Sequence, residues 1–262
     1  VGNLYYKNYF GVFFLIQRYS FFGINMIRNN SIFWEPGVYQ IFLNFYILYN
    51  VFFCNKKIYS KDMIFVILNI ILTTSIAGIL ILIFNINMYL LFKIKSRNRF
   101  INLLIKYLVI IITLVLFVAS IKVINEKKNY GEESYNLRVS DFQAGIKLFK
   151  EKPLVGWGIE NYEPHYMISN SPRGNSNGFI TLFFQVGLLG VSIYYILLNT
   201  SYRNIKKYYG RSAAVVYVSF IVIYNSFEPF TYNNFTILLI LMNVYKLKVE
   251  KKNEDITCNY RT

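Results

Sequence analysis

Met63-Ile-Phe-Val-Ile-Leu-Asn-Ile-Ile-Leu-Thr-Thr-Ser-Ile-Ala-Gly-Ile-Leu-Ile-Leu-Ile-Phe-Asn-Ile-Asn-Met-Tyr-Leu-Leu-Phe92 is a run of thirty residues without one charged side chain. A bilayer core about 30 Å thick is crossed by about 20 apolar helical residues. The run is therefore long for a single crossing. Thr73, Thr74, Ser75 and Gly78 stand at its middle, where small and polar residues suit a turn. Whether the run crosses once or twice decides which side every later loop faces.

Working outward, further apolar segments cover 38–53, 101–124, 178–198, 213–227 and 235–245. Segment 101–124 has no amphipathic period, which argues against a buried core helix of a soluble protein. Hydrophobic residues are 55% of the chain, and charged residues only 16%, against about 25% in ordinary soluble domains. These figures exclude a disordered tail, a collagen-like chain and a coiled coil. The expected fold class is all-α: a multispan helical membrane protein with one large external loop, organised as a single membrane domain. The chain starts at Val1 rather than at a methionine, and further membrane helices upstream are expected.

The net charge of +15 comes from 28 Lys+Arg against 13 Asp+Glu, and its distribution tests the long run. If 63–75 and 76–92 form a hairpin, the cytoplasmic pieces are 54–62, 93–106, 199–212 and 246–262. They carry 17 basic and 4 acidic residues, whereas the external pieces 1–37, 125–177 and 228–233 carry 10 and 9. A single crossing would put Lys93, Lys95, Arg97, Arg99, Arg203, Lys206, Lys207 and Arg211 outside. The positive-inside rule selects the hairpin and a cytoplasmic C-terminus. The positive charge orients helices; it is not the footprint of a nucleic acid.

The external loop 125–177 is charge-balanced and holds a readable helix. Ser140 with Gln143 has capping-box spacing, and Asp141 lies in the first turn. Phe142, Ile146 and Phe149 define an apolar face suited to the membrane surface or the mouth of the bundle. Pro153 ends the helix, and Gly156-Trp157-Gly158 is a turn. The two cysteines, Cys54 and Cys258, and the one histidine, His165, do not make a metal site, and there is no G-x-S-x-G nucleophile elbow. No metal and no cofactor are expected.

Two stretches carry a family resemblance. The first is Arg28-Asn-Asn-Ser-Ile-Phe-Trp-Glu-Pro-Gly37. The second combines Arg138-Val-Ser-Asp-Phe-Gln-Ala-Gly145, Pro153-Leu-Val-Gly-Trp-Gly-Ile-Glu-Asn161, Arg173-Gly-Asn-Ser-Asn-Gly-Phe179 and Gly187-Leu-Leu-Gly190. In that order they resemble the bacterial O-antigen and capsular polysaccharide polymerases of the O-antigen ligase/polymerase superfamily. The resemblance implies a metal-independent glycosyltransferase of the bacterial cytoplasmic membrane that uses undecaprenyl-pyrophosphate-linked oligosaccharide. Its partners would be that lipid-linked glycan, the bilayer and a chain-length regulator. Two positions depart from the pattern. Ile76 stands where many relatives have Arg in T-x-S-R-x-G. Ser176 replaces the histidine that often precedes the loop Asn, here Asn177, and this leans the reading from ligase to polymerase.

Sugar transfer from pyrophosphate needs cations for the leaving group and a group that activates an acceptor hydroxyl. Arginine binds phosphate oxygens through a planar, always charged fork, and Arg28, Arg138 and Arg173 stand in the motifs, with Asn177 beside them. Glu35, at a helix start, is read as an orienting partner of Arg28 or as a holder of a sugar hydroxyl. His165 is the one side chain with an ordinary pKa near neutrality and the formal general base. Glu35 and His165 are thus the catalytic candidates. The rival within the enzyme class is an O-antigen ligase; from another class it is a lipid-linked oligosaccharide flippase. A transporter places ionisable groups inside its spans, and these spans are nearly chargeless.

Overall fold

The computed structural model describes residues 4–9, 12–21, 24–29, 31–33, 35–94, parts of 100–111, 132–169, 175, 177–228, 231 and 233–244. Two compact units divide the chain, 1–119 and 120–262. The helical class holds for both from Pro36 onward.

The first unit opens with three antiparallel strands, β1 (Leu4–Tyr9), β2 (Val12–Phe21) and β3 (Ile24–Ile27), in the order β1-β2-β3. Leu4 pairs with Gln17, and Arg18 with Ile27. Hydropathy does not mark this meander, and an all-α class does not cover it. Its aromatic and β-branched content favours strands, and its segments are too short to register as spans.

Pro36 starts α1 (Pro36–Leu48), where its fixed φ and missing N–H suit the first turn. The helix widens into a π-helical turn over Tyr49–Phe53. The long apolar run forms two helices, α2 (Lys61–Leu72) and α3 (Ile76–Phe92). Thr74 turns the chain at φ 49°, and Ser75 caps α3 by accepting from Gly78 N–H. Helix α1 packs on both α2 and α3. A polar clamp joins α1 to α3: Asn44 Nδ2 donates to Gln40 Oε1 and to Gly78 O, at 3.1 Å each. Asn85 Nδ2 donates to Asn44 O at 3.2 Å. Such amides hold helices together where water cannot compete. Segment 101–124 is helical where it is described, and its part beyond 111 lies outside the described residues.

The second unit comprises α4 (Glu132–Glu151), α5 (Glu163–Ser169), α6 (Gly178–Phe227) and α7 (Asn234–Val244). Helix α4 begins eight residues before the expected cap. Ser140 is therefore a mid-helix residue, because nothing from Glu132 to Val139 breaks a helix. Its packed stripe is Asp141, Ala144 and Leu148, one position from the expected Phe142-Ile146-Phe149 face. Phe142 is exposed, and Phe149 meets Phe183 edge-on.

Helix α6 is interrupted at Gly187 (φ 60°, ψ −169°) and Gly210 (φ 89°, ψ 170°). It continues through 199–209, where the sequence suggested a loop, because Tyr202-Arg-Asn-Ile-Lys-Lys-Tyr-Tyr209 contains no breaker. Past Gly210 the chain returns, so that Asn177 Nδ2 donates to Ser226 O at 3.1 Å and Thr231 Oγ1 to Gly178 O at 2.8 Å. Helix α7 is tied to α6 by Ser201 Oγ to Ile240 O and by Tyr217 Oη to Leu239 O, both 2.8 Å. Among the described residues, α6 is the one helix long and apolar enough to cross a membrane. Its exposed Leu188, Leu189, Ile193 and Ile196 would face lipid in that setting.

Candidate functional site

In the first unit, Arg28 follows β3 directly and reaches the tip of the α2–α3 hairpin. Its Nε donates to Thr73 O at 3.0 Å and its Nη2 to Thr74 O at 3.4 Å. These carbonyls lie at the C-terminal, partially negative end of α2, where a cation is favoured. The adjoining Asn29 completes the seam: its N–H donates to Leu72 O at 3.1 Å and its Nδ2 to Asn69 Oδ1 at 2.9 Å. The hairpin tip thus carries a guanidinium although residue 76 is Ile. Threonine carbonyls orient Arg28; no ion pair with Glu35 occurs among the described residues. Glu35 is the N-cap of α1 in extended conformation (φ −151°, ψ 153°), makes no side-chain cap bond and is half-exposed.

In the second unit, His165 and Asn177 are linked at the start of α6 through Asn175. His165 on α5 is fully buried, stacked on Phe184 with ring centroids 5.7 Å apart. Asn175 Nδ2 lies 2.8 Å from Asp141 O and 3.2 Å from His165 Nε2, while its Oδ1 accepts from Asn177 N–H at 2.8 Å. His165 Nε2 thus faces both the Asn175 amide and, at 3.3 Å, the Asp141 carbonyl, while Nδ1 lies 3.2 Å from Ser169 Oγ, so either tautomer finds partners. Ser169 in turn donates to His165 O at 2.9 Å. Asp141 Oδ1 stands 3.8 Å from Nε2. Every polar atom of the imidazole is engaged, so His165 organises its neighbours and does not itself meet solvent.

Asn177 is engaged as well. Its Oδ1 accepts from Ile180 N–H at 3.1 Å, which caps α6, and its Nδ2 holds Ser226 O. Arg138 is exposed on α4, one turn before Asp141. Arg173 lies outside the described residues. A concavity of about 460 Å³ opens between α4 and α5, lined by Asn136, Leu137, Ser140 and Ser169. Burial raises the Tyr162 hydroxyl pKa above its ordinary value; a Gln185 hydrogen bond offsets part of this and the Glu160 charge adds to it.

The sequence does not single out Asn175 or Ser169, and it offers Asp141 as a first-turn acid and, with Glu160 and Glu163, as a lesser alternative to His165. The Asn175-Ser-Asn177 spacing, with two side chains able to bind backbone two residues on, is the signal by which Asn175 could have been found. Among the described residues, no group of three or more His, Cys, Asp or Glu side chains could hold a metal ion.

A family model described as O-antigen ligase matches residues 63–195, just over half of the chain. The chain belongs to the O-antigen ligase family. Its members are integral inner-membrane proteins, glycosyltransferase-like enzymes that act on lipid-linked glycans. The search of curated proteins and that of solved structures found no match.

Proposed function

We propose that this chain polymerises undecaprenyl-pyrophosphate-linked repeat units into O-antigen or capsular polysaccharide at the outer face of the cytoplasmic membrane. The acceptor sugar hydroxyl attacks the anomeric carbon of the donor, and the bond from that carbon to the pyrophosphate oxygen breaks. The electron pair passes to the pyrophosphate, whose growing charge is neutralised by arginine, and the hydroxyl proton passes to a carboxylate. Arg138 is suited to this role by its exposure on α4, one turn before Asp141. Arg173 and, in the first unit, Arg28 on the hairpin tip are the other proposed phosphate-binding cations. His165 serves as a positioning residue: through Asn175 it sets the backbone at Asn177 and hence the start of α6. Glu35, half-exposed and without a cap bond, is the proposed carboxylate for an acceptor sugar hydroxyl.

Ser176 carries the choice of polymerase, since the resemblance puts a histidine there in ligases. The description of the matching family favours the second reading, a ligase that transfers finished glycan to lipid A core. The glycan phenotype of a deletion separates them. Single-repeat caps on the surface are expected; accumulation of long polymer on the lipid carrier would instead indicate a ligase, and cytoplasmic repeat units a flippase.

A further inference from the structure

At Gly187 the backbone of α6 leaves the helical region, which orphans hydrogen-bonding groups on either side of the break. In a bilayer each such group costs several kcal/mol unless protein supplies a partner. The turn after α4 supplies them. Trp157 N–H donates to Phe184 O at 2.9 Å and Gly158 N–H to Gln185 O at 2.8 Å. In the other direction, Leu188 N–H donates to Pro153 O at 2.8 Å and Leu189 N–H to Leu154 O at 3.1 Å. The turn is therefore docked part-way along α6, not at its external end.

The depth follows from helix geometry. From Leu189 to Arg203, the first basic residue of α6, the helix rises about 21 Å at about 1.5 Å per residue. The hydrocarbon layer is about 30 Å thick. With Arg203 at the inner edge, Leu189 and the Leu154 carbonyl it binds lie roughly 9 Å inside the outer edge; snorkelling of Arg203 by about 5 Å still leaves them about 4 Å inside.

The side chains fit that level. Leu154, Val155 and Ile159 are more than 60% exposed, although they are apolar. They continue the exposed surface of Leu188, Leu189, Ile193 and Ile196 on α6. Exposed Lys150, Glu151 and Lys152 precede them, and exposed Glu160 follows, so the apolar tip has charged margins. The Lys152 ammonium sits 3.8 Å above the Trp157 ring, an arrangement suited to the headgroup boundary.

We infer that Pro153–Ile159 is a shallow re-entrant turn whose Leu154, Val155 and Ile159 side chains lie among the acyl chains of the outer leaflet. The inference rests on α6 crossing the membrane and is independent of the reaction catalysed. The turn anchors α5, and with it the His165–Asn175 network, to the membrane surface.

The test uses the full chain in proteoliposomes, with Cys54 and Cys258 changed to Ser and one new cysteine carrying an environment-sensitive fluorophore. At Val155→Cys, phospholipids with a nitroxide high on the acyl chain should quench the probe. Aqueous iodide should quench it several-fold less than at Lys147→Cys, on the exposed face of α4. Iodide quenching equal to that at Lys147→Cys would overturn the inference. Shielding from both quenchers would overturn it too, because protein would then cover the tip. Ile193→Cys on α6 serves as the control: absence of lipid quenching there would mean that α6 itself does not cross.

Discussion

Gly156 and Gly187 cross so closely that a β-carbon on Gly156 would stand 2.7 Å from Gly187 N, and one on Gly187 would stand 2.7 Å from Gly156 N. Both residues also have positive φ, 70° and 60°. Two separate reasons thus require glycine at this crossing: the backbone conformation and the space between the chains. The P-L-x-G-x-G turn and the G-L-x-G stretch, whose contacting glycines are 31 residues apart in sequence, are the two halves of one contact.

Substituting Ala at either glycine should be severely destabilising. Left-handed strain alone is worth on the order of 1–3 kcal/mol, and the obstructing atoms are backbone, which cannot swing aside. Thermal unfolding in detergent should show a lowered midpoint for Gly156→Ala and Gly187→Ala. Gly210→Ala should show the strain without the clash, since no atom lies within 4 Å of its β-carbon position. Equal loss at all three sites would refute the close-contact explanation.

The arginines should separate by kind of effect. Arg138 is exposed, so Arg138→Ala should change stability by no more than about 0.5 kcal/mol while removing long glycan chains. Arg28→Ala should remove long chains and also destabilise the hairpin, because the Thr73 and Thr74 carbonyls lose their donor; the loss expected is about 1–2 kcal/mol. Comparing protein level, thermal stability and glycan length in the same strains checks both. Normal chain lengths in Arg138→Ala would remove it from the site.

His165→Ala would leave a cavity and take a partner from Asn175, a loss of roughly 2–4 kcal/mol. A positioning role makes a sharper claim than a structural one. Asn175→Ala leaves the histidine in place but releases Asn177 N–H, and it should lower turnover with little change in KM for the lipid-linked donor. If Asn175→Ala keeps full turnover while His165→Ala loses it, His165 acts directly and not through Asn175.

Tyr162 provides a pH-dependent check. Its folded pKa is raised above the ordinary value of 10.0, chiefly by burial, so the folded state holds the phenol proton more tightly than the unfolded chain. The stability tied to that proton is complete below about pH 10 and falls as pH rises through the folded value. Unfolding midpoints measured between about pH 9 and 11 should fall less steeply for Tyr162→Phe than for the parent protein. Parallel curves would show that Tyr162 is not protected in the folded state.

The sequence made much of the helical architecture legible, because apolar runs announce helices by their length. It did not show the strands of 4–27, whose aromatic segments lack a span's length. Nor did it show that α6 stays helical through Arg203-Asn-Ile-Lys-Lys207, since charge density suggests a loop whereas helix propensity there is good. For the site, the motif residues were visible but their partners were not. That Arg28 would seek two carbonyls at the hairpin tip is a matter of chain path, and that His165 would be enclosed depends on how α4, α5 and α6 pack. Ser140 misled because a capping-box spacing is permissive: the helix had already begun at Glu132.

Glycosyl transfer that lengthens a lipid-linked glycan can be followed in a reconstituted system. Purified protein in proteoliposomes, given only undecaprenyl-pyrophosphate-linked repeat units, should convert them to a ladder of dimers and higher oligomers on the same lipid. The Arg138→Ala protein should leave them as single units. Unchanged single units with the parent protein, together with transfer of those units to added lipid A core, would contradict polymerisation and establish the ligase instead.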